Sequence, residues 1–501
     1  MSFLGVDVGT TGCKSGVFSE DGILLGFSYE EYDYATPRSG WAELRSEQVW
    51  EKIRRTIRRA GRNVRRDPVQ ALSVSSLGES VVSIDAGGRI LGPSILNFDS
   101  RGGEYLEEIE KWMPADRFYG ITGNTLGSNY SITTLKWLKE RQPRLYENTH
   151  LFLLWSGLVS FMLGADPTVD YSLANRTLLF DLEATAWSQE LLDRSGLDRD
   201  KFPPIVPSGV RIGSLKASEA ADLGLPTGIP IISGGHDQSC NGIGAGVLSP
   251  GQAMFGMGTY LCMMPVFKRR PPAEMMVERG LNTEHHAAPA RFVSFLYNPG
   301  GLIVKWFRNT FAEAEMRRNR SDSQDLYAAL LAEMPKDPSR VMVLPHFSTT
   351  GPPHYITDSS GVMAGLVLDT SRGEILKGLI EGMTFYVREC AETLPDVGIE
   401  STSFRAVGGG SHSDVWMQIS ADIFGRPFSR PRIREAGTLG AAILAATGSG
   451  AFSSLEDAVE AMVQPGDDFE PEPSRRDLYD ERFEKYRALW PLMADYLRSL
   501  E

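Results

Sequence analysis

One short pattern occurs twice in this chain: an extended apolar segment, a turn rich in glycine and threonine, and a second extended segment. The first copy surrounds the turn 9–12 (Gly-Thr-Thr-Gly), and the second surrounds the turn 258–259 (Gly-Thr). Such turns expose backbone N–H groups and hydroxyls, which suits them to phosphate groups. Two unrelated hairpins are the alternative, because glycine-containing turns are common in hairpins. The repeat predicts two lobes, each opening with a phosphate-grasping hairpin, with a nucleotide held between them.

Length and glycine distribution predict where the two lobes meet. A chain of 501 residues with 42% hydrophobic residues is long enough to bury two sizeable cores. Glycines at 242, 244 and 246 precede the Ser-Pro-Gly sequence 249–251, a combination typical of a domain boundary. We therefore expect an α/β protein with an N-terminal lobe over 1–245 and a C-terminal lobe over 246–501.

Charge, cysteine content and apolar runs exclude several classes of protein. The net charge of −13 argues against a nucleic-acid partner, which needs a basic face, but a single nucleotide is not excluded. Four scattered cysteines fit neither a disulfide framework nor a metal knuckle. The start of the chain lacks a signal pattern. The longest apolar run, 151–163, is shorter than the ~20 residues that span a bilayer, so it predicts a buried helix in a cytoplasmic protein without membrane contact.

Apolar periodicity predicts most of the secondary structure. A helical period predicts helices over 46–66, 371–392, 414–424 and 438–446. Extended patterns predict strands over 71–76 and 81–85, in addition to the two hairpins and a third strand at 23–28. The tail, 478–500, has the pattern of two amphipathic helices separated at Pro491, since proline interrupts a helix.

The first turn carries residues that fit the β- and γ-phosphates of ATP and a magnesium ion. Thr10 and Thr11 offer hydroxyls and backbone N–H groups, and Lys14 follows closely enough to reach a phosphate oxygen. Asp7 ends the preceding strand and is a candidate ligand for Mg²⁺, through water because Mg²⁺ loses its waters reluctantly. An ordinary hairpin with an Asx-type turn is the alternative.

A carboxylate near the middle of the chain is a candidate general base. Asp237 follows a buried strand that ends in Gly234 and Gly235, and glycines there let a substrate approach closely. Transfer of a phosphoryl group to an alcohol needs a positioned carboxylate to accept the hydroxyl proton. The alternative is that Asp237 caps a helix beginning at Gln238. His236 is expected to be a structural hydrogen-bonding neighbour rather than a second base.

Three consecutive glycines, 408–410, follow the apolar strand 404–407. They allow the plane of a base such as adenine to lie against the backbone. The Gly-x-Gly-x-x-Gly spacing of a dinucleotide fold is absent, and a plain strand-to-helix turn is the alternative.

Together these segments resemble the FGGY carbohydrate kinases, a family within the group of actin-, Hsp70- and hexokinase-like ATPases. The segment 361–382 is similar to the family's C-terminal signature, with Gly378 where Ala or Ser is usual. The earlier signature, 131–137, is looser and has Thr134 where Lys is expected. The segment 408–416 resembles the family's adenosine-binding segment.

The resemblance implies two RNase H-like (actin-like ATPase) lobes with an inter-lobe cleft that holds ATP and Mg²⁺ and closes on the sugar. It implies that Asp237 is the catalytic base and that Asp7 is associated with the metal. The positions expected to contact the nucleotide are Thr10, Thr11, Lys14, Gly258, Thr259, Gly301, Gly409, Gly410 and Asp414.

The resemblance is less definite about the acceptor. Glu79 and Gln238 match positions of glycerol kinases, where Glu79 would accept hydrogen bonds from vicinal hydroxyls. Gly78 stands where those enzymes have Arg, and Asn97 stands where an aromatic residue closes the glycerol pocket. Smaller and more polar walls predict a polyol, or a ketose such as xylulose, of about four to six carbons. The residues expected to bind it are Glu79, Asp99, Asn129 and Gln238, although an ion pair with Arg101 is the alternative role for Asp99.

Other functions stay open from the sequence. Glycerol kinase or gluconate kinase activity would use the same chemistry on another acceptor. A non-catalytic sensor would be expected to lose Asp7 or Asp237, and both are present. A chaperone or filament ATPase is disfavoured because the two lobes use nearly all of the chain. The expected partners are a small sugar or polyol and ATP, and a homodimer is left open.

Overall fold

The protein alternates strands and helices around two mixed β-sheets, as the sequence predicts. The structure is a computed structural model, and it describes residues 1–62, 64, 67–318, 323–351, 355–356 and 358–500. Residues 63, 65 and 66, at the predicted end of the first helix, lie outside the described residues.

The first sheet is built from the N-terminal half of the chain. Over the described residues its strands are β1 (Ser2–Val8), β2 (Gly12–Ser19), β3 (Leu24–Glu31), β4 (Val69–Ser76), β5 (Arg211–Ser214) and β6 (Pro230–His236). They lie in the order β5-β6-β4-β1-β2-β3. β1 is antiparallel to β2 and parallel to β4, which is in turn parallel to β6. The carboxyl ends of β1, β4 and β6 therefore meet at one edge of the sheet.

The second sheet repeats this arrangement in the C-terminal half. Its described strands are β7 (Gly251–Met257), β8 (Tyr260–Phe267), β9 (Glu284–His285), β10 (Phe292–Val293), β11 (Leu296–Pro299), β12 (Ser401–Val407), β13 (Phe428–Pro431) and β14 (Pro465–Phe469). Their order is β9-β10-β8-β7-β12-β13-β14, and β11 also pairs with β8. β7 is antiparallel to β8 and parallel to β12, as β1 is to β2 and β4. The predicted repeat of a hairpin in each half is confirmed.

Helices cover both sheets. The longer ones are α1 (Ser46–Gly61), α2 (Ser131–Arg141), α3 (Trp155–Leu163), α4 (Asp237–Gly244), α5 (Gly301–Phe311), α6 (Ser323–Ala332), α7 (Arg372–Ala391), α8 (Asp414–Phe424), α9 (Ala436–Gly448) and α10 (Pro473–Arg498). Shorter helices lie at Leu106–Glu110, Ala115–Thr122, Pro143–Asn148, Tyr171–Asn175, Gln189–Ser195, Ala217–Leu223, Ala273–Glu278, Glu313–Arg318 and Leu455–Met462. The start of α7 is fixed by a capping box between Ser371 and Glu374, which explains why its boundary was predictable.

The first sheet is buried on both faces. On one face, Val49 and Ile53 of α1 belong to the same core as Val6 of β1. On the other face, Leu439 and Ile443 of α9 belong to one core with Phe3, although α9 comes from the C-terminal half of the chain. The chain thus returns to its first sheet after building the second.

Glycines allow α9 to approach its neighbours closely. A Cβ atom on Gly5 of β1 would lie 1.8 Å from the carbonyl oxygen of Thr438. A Cβ atom on Gly440 of α9 would lie 1.9 Å from the carbonyl oxygen of Cys240 in α4. Any side chain at these positions would push α9 away from β1 and α4, so the packing depends on glycine.

The prediction of one helix over 151–163 is corrected in part. Leu151–Leu154 forms a short strand that pairs with Val81–Ile84, and α3 begins only at Trp155. Four consecutive apolar residues fit a buried strand as well as a buried helix, so periodicity alone does not separate the two.

The prediction of two helices in the tail is wrong, because α10 continues through Pro491 as one helix. Proline removes one backbone hydrogen bond and disfavours the preceding residue in a helix, but packing can outweigh that cost. Leu489, Trp490 and Met493 on either side of Pro491 pack against the core of the second lobe.

Two further expectations concern the boundary and the membrane. The predicted boundary falls in the connection between α4, which ends at Gly244, and β7, which begins at Gly251. The division into lobes 1–245 and 246–501 stays a prediction. Within the described ranges, no helix is long and apolar enough to cross a membrane.

Candidate active site

The carboxyl edge of the first sheet gathers three carboxylates. Asp7 of β1 is in register with Ser75 of β4, and Ser75 is in register with Gly235 of β6. Asp237 opens α4 two residues after Gly235, and Glu79 follows β4 by three residues. Both Asp7 and Glu79 are close enough to Asp237 to raise its pKa. Parallel strands thus bring together residues that are far apart in the sequence.

Asp237 is the first residue of α4, but its side chain does not cap the helix. Its side chain is only 24% exposed. Burial, together with the charges of Asp7 and Glu79, raises the pKa of Asp237 from 3.8 to about 7, while hydrogen bonds from Gln238 act in the opposite direction. A carboxylate with this pKa can accept a proton at neutral pH, as a general base must.

His236 is a neutral neighbour of Asp237. Its Nε2 lies 3.3 Å from Oδ1 of Asp237. Burial and the charge of Arg176 lower the pKa of His236 well below its ordinary value, so the contact is not an ion pair at neutral pH. The predicted role of His236 as a structural neighbour agrees with this geometry.

Asp7 is a half-buried carboxylate near the end of β1. Ser75 Oγ donates a hydrogen bond to Asp7 Oδ1 over 3.0 Å. Burial raises the pKa of Asp7, and the charge of Lys14 only partly offsets the shift. Mg²⁺ is bound in nucleotide enzymes by one or two carboxylates together with phosphates and waters, so Asp7 beside Asp237 fits that ion. No cluster of three or more metal-ligating side chains occurs in the described part of the chain.

The first turn is ordered by the backbone and by Tyr32. Gly9 N–H donates to the Gly12 carbonyl over 2.9 Å, and the Tyr32 hydroxyl donates to the Gly9 carbonyl over 2.6 Å. At this turn Thr10 is half-buried and Thr11 is exposed. The backbone of the turn is therefore fixed in shape, while the side chains of Thr10 and Thr11 stay partly or fully exposed to solvent.

Lys14 has a partner that the sequence did not suggest. Its Nζ lies 2.8 Å from Oε2 of Glu435, the residue before α9. Burial lowers the pKa of Lys14, but the carboxylates of Glu435 and Asp7 outweigh it and the net shift is upward. Lys14 is therefore charged and oriented beside the first turn. The only local sign of this contact in the sequence is that Glu435 stands immediately before a helix N-terminus, where an acidic residue is favourable.

The second turn is assembled from three parts of the C-terminal half. Gly301, at the start of α5, donates its N–H to the Gly258 carbonyl over 2.9 Å. A Cβ atom on Gly301 would lie 2.7 Å from that carbonyl oxygen, and one on Gly408 would lie 3.0 Å from Met257 backbone. Gly408 also has φ of +90°, which favours glycine. The predicted nucleotide positions 258–259, 301 and 408–410 are therefore neighbours in space.

Asp414, the last of the predicted nucleotide positions, opens α8 at the rim of this region. Its side chain is 73% exposed, and Oδ1 lies 2.8 Å from Nη2 of Arg430. Ser413 caps α8 by accepting a hydrogen bond from the N–H of Trp416, so Asp414 does not perform that role.

Glu79 is held by a buried ion-pair network. Arg176 donates to Glu79 Oε1 from Nε over 2.6 Å and also from Nη2, and it donates to Glu284 Oε1 from Nη1 over 2.6 Å. Among the described residues, the second oxygen of Glu79, Oε2, has one hydrogen-bond contact, 3.3 Å from Asn97 Nδ2. Glu79 has φ of +60°, a strained conformation for a residue with a side chain. The side chain of Glu79 is only 4% exposed, and Oε2 is the carboxylate oxygen that does not bond to Arg176.

Gly78 does not simply widen the pocket. A Cβ atom there would lie 3.0 Å from Cγ of Arg176 and 3.3 Å from the His236 ring. The space beside Gly78 is therefore taken by Arg176, which comes from a distant segment. Additional room for a longer acceptor has to come from the position of Asn97.

The remaining predicted substrate residues differ in how available they are. Asp99 has a side chain only 1% exposed, and all four of its hydrogen bonds come from Ala42 N–H and from the backbone and guanidinium of Arg101. This is the ion pair that the sequence left open as the alternative. Asn129 and Gln238 are half-buried. A substrate role for these three residues stays a prediction.

Sequence reasoning missed Arg176, Glu284 and Glu435. Arg176 follows a five-residue helix and meets Glu79 and Glu284, which are about a hundred positions away on either side. No local pattern announces such a contact, because the fold alone brings the segments together. Aromatic rings cover the guanidinium, with the Tyr130 ring centre 4.9 Å from Cζ.

The geometry is that of a two-lobed protein with one Gly/Thr turn in each lobe and a cluster of carboxylates at the edge of the first sheet. Family models of the FGGY carbohydrate kinases match both halves, the N-terminal domain over residues 2–244 and the C-terminal domain over residues 254–449. The chain belongs to the FGGY family of carbohydrate kinases, and it is an ATP-dependent sugar kinase.

Relatives agree on the class and differ in the acceptor for which they are named. The chain is 27% identical to a xylulose kinase of Bacillus subtilis, over 99% of this chain and 98% of that one. It is 29% identical to a glycerol kinase of Bordetella parapertussis, over 99% and 97%. The solved xylulose kinase of Rhodospirillum rubrum has a TM-score of 0.87 at 24% identity, over 99% and 100%. This likeness confirms the two-lobed actin-like fold.

Proposed function

We propose that this kinase transfers the γ-phosphoryl group of ATP to a hydroxyl of a ketose or polyol of about four to six carbons. Asp237 accepts the hydroxyl proton while the oxygen forms a bond to the γ-phosphorus and ADP leaves. The observation that carries the proposal is the pKa of about 7 at Asp237, raised by burial and by Asp7 and Glu79 at the edge where three parallel strands end.

Asp7 and the two turns are proposed to handle the phosphates. Mg²⁺, when bound, would supply positive charge to the β- and γ-phosphates, and Asp7 is the residue proposed to hold it through water. Lys14, oriented by Glu435, adds a fixed positive charge beside the first turn. The turns at 9–12 and 258–259 are proposed to supply backbone N–H groups from opposite lobes. Catalysis of this kind relies on positioning and electrostatics rather than on covalent chemistry.

Glu79 and Gln238 are proposed to orient the acceptor. Oε1 of Glu79 is held by Arg176 and Oε2 has a longer contact from Asn97, so the carboxylate is fixed in position and Oε2 is the oxygen proposed to accept a hydrogen bond from the acceptor. Gln238 hydrogen-bonds to Asp237 and follows it in α4, which places an amide beside the base. Asn97 contacts Glu79 and gives the proposed acceptor site a small, polar wall. The aromatic residue that glycerol kinases have at this position would instead restrict the acceptor to three carbons.

Glycerol kinase activity is the second candidate. It is favoured by Glu79 and Gln238, which match the pattern of that branch, and by the similarity to the glycerol kinase of Bordetella parapertussis. Asn97, which contacts Glu79, argues against it because glycerol kinases have an aromatic residue at this position. The two candidates differ in acceptor length and share the same base.

The test is a panel of acceptors with Mg-ATP, followed by ADP release. The panel contains tetritols, pentitols, ketopentoses, ketohexoses, gluconate and glycerol. We expect the largest kcat/KM for one of the four- to six-carbon acceptors, at least about tenfold above glycerol. A larger kcat/KM for glycerol would select the second candidate, and no stimulated ADP release by any sugar or polyol would contradict both.

The base is tested with Asp237→Asn on the best acceptor. We expect kcat to fall by about 10²–10⁴-fold while the acceptor still binds, measured by calorimetry. Asp166→Asn changes an exposed aspartate elsewhere in the first lobe and serves as the matched control. Turnover that survives in Asp237→Asn at the level of the control would refute the assignment.

A further inference from the structure

A cavity of about 450 Å³ lies in the second lobe, and its lining includes none of the three clustered carboxylates. It is enclosed by the carboxyl ends of β12 and β13, the segment after the three glycines, and the start of β14. Its charged and polar lining comes from Ser411, His412, Arg430, Arg432, Arg434 and Asp467. We call it the arginine cavity. Its volume is in the range of sites for small metabolites.

The lining is strongly positive in a protein whose net charge is −13. Arg430 is paired with Asp467 and with Asp414. Arg432 and Arg434 are exposed, and within the described residues neither guanidinium has a hydrogen bond or an ion pair. At the end of β13, one paired and two unpaired guanidiniums therefore share the lining of one cavity.

The electrostatic surroundings of His412 agree with a concentration of positive charge in the cavity. Burial lowers the pKa of His412, and the charges of Arg434 and Arg430 lower it further, with Glu435 acting in the opposite direction. A positive field strong enough to disfavour an imidazolium favours an anion in the same place. Guanidinium groups bind phosphate and carboxylate oxygens through two parallel hydrogen bonds, and arginine is the usual residue for that purpose.

We propose that the arginine cavity binds a phosphate monoester of a small metabolite, at a site separate from those of ATP and the sugar. Arg432 and Arg434 bind the phosphate group, and Arg430 contributes its remaining donors. The ligand is either a sugar phosphate or a nucleoside monophosphate, which share the phosphate monoester as the group recognised.

Two contacts connect the arginine cavity to the nucleotide region. Arg430 donates to the Ser411 carbonyl over 2.9 Å and pairs with Asp414, which resembles a nucleotide position of the family. Arg434 directly precedes Glu435, the partner of Lys14. A bound phosphate that draws Arg430 and Arg434 toward it changes the surroundings of both Asp414 and Glu435. Occupation of the cavity is therefore expected to alter the affinity for ATP.

The test measures binding to the full-length protein by calorimetry, first without added nucleotide and then with a saturating non-hydrolysable ATP analogue. The probes are inorganic phosphate, fructose 6-phosphate and AMP, with fructose as the uncharged control. We expect at least one phosphate monoester to bind with Kd below about 1 mM, and fructose not to bind. Binding of fructose 6-phosphate alone or of AMP alone assigns the source of the phosphate.

The arginines are tested with Arg432→Gln/Arg434→Gln, and Arg426→Gln removes an exposed arginine that does not line the cavity. We expect the double variant to weaken binding about tenfold or more, and the control to leave it unchanged. Thermal melting of each variant checks that it is folded.

Three results would overturn the proposal: no binding of any phosphate monoester, equal binding to the double variant and the wild type, or binding that disappears when the ATP analogue is present. The last result would mean that the cavity is part of the nucleotide site. The proposal does not depend on which sugar is phosphorylated, because the acceptor panel and the binding test use different readouts.

Discussion

The two hairpins of this kinase share one backbone plan and differ in chemistry. In the first, Asp7 of β1 faces Lys14 of β2 in the strand register. In the second, the corresponding pair before the turn is Gly256 of β7 and Cys262 of β8. The first hairpin thus brings a carboxylate and an ammonium to the cleft, and the second brings neither.

This difference shows that the two copies of the repeated hairpin contribute different chemical groups. Asp7, Glu79 and Asp237 all belong to the first half of the chain, where their repulsion and burial raise the pKa of the base. The second half supplies closely packed glycines at 301 and 408 beside the turn at 258–259, which suit backbone contacts to a nucleotide. We therefore expect the clustered carboxylates of the first lobe to matter most for the chemical step, and the glycines of the second lobe to matter most for nucleotide binding.

The strongest test of this comparison removes the charge from the first hairpin. Asp7→Asn is expected to lower kcat by about 10²–10³-fold, because the group proposed to hold Mg²⁺ is lost. Gly256→Ala, at the strand-register position of the second hairpin that matches Asp7, is expected to leave kcat within about twofold, since no charge is lost there and the new Cβ atom meets no atom closer than 3.5 Å. Steady-state ADP release measures both. Equal losses in the two variants would show that the hairpins contribute alike.

The next effect concerns the second turn. Gly301→Ala places a Cβ atom 2.7 Å from the Gly258 carbonyl oxygen and displaces the turn, so the KM for ATP is expected to rise. A rise of about tenfold with a smaller change in kcat corresponds to lost nucleotide contacts. Gly120→Ala is the control, because a Cβ atom there meets nothing within 4 Å. An unchanged KM for ATP in Gly301→Ala would separate the second turn from nucleotide binding.

A smaller effect appears in the pH dependence. The base must be ionised, so kcat/KM is expected to fall as pH decreases through about 7, the pKa of Asp237. Glu79→Gln removes one of the charges that raise this pKa and is expected to move the acidic limb to lower pH, whatever its effect on the maximal rate. Glu107→Gln, an exposed glutamate, is the control. An acidic limb at the same pH in both variants would contradict the electrostatic coupling.

The smallest effect is on stability. The folded-state pKa of Asp237 is about 7 against an ordinary 3.8, so the folded protein binds this proton more tightly than the unfolded chain. The free energy of unfolding therefore decreases as pH rises between these values. Asp237→Asn is expected to raise Tm at pH 8 by about 2–4 °C, with the difference disappearing near pH 4, in calorimetric melting. A Tm of Asp237→Asn below that of the wild type at pH 8 would contradict the predicted direction of the effect.

The first hairpin was predictable because its information is local. A strand, a Gly/Thr turn and a strand are visible in consecutive residues, and Asp7, Thr10, Thr11 and Lys14 all lie on that hairpin. Asp237 was also found from a local pattern, a strand that ends in glycines. Local patterns did not reveal that Glu79 depends on Arg176, because that contact exists only in the folded protein.

The predictions that the structure corrects failed for the same reason, because they depend on contacts between distant parts of the chain. The strand Leu151–Leu154 and the uninterrupted helix through Pro491 are decided by what packs against them. For Asp99, the sequence left both a substrate role and an ion pair open. The structure shows a buried ion pair between Asp99 and Arg101, and Cζ of Arg101 lies 4.0 Å from the ring centre of Trp41. Burial of that kind depends on the whole lobe and is not encoded in neighbouring residues.

The return of α9 to the first sheet has a consequence for synthesis of the protein. Phe3 and Ile232 share a core with α9, whose last residue is Gly448. On the ribosome, that face of the sheet is uncovered until about two hundred further residues have followed the first lobe, which takes roughly 10–40 s at ordinary rates of elongation. The first half of the chain therefore exposes apolar surface during synthesis, and it completes its fold only when the second half has nearly been made.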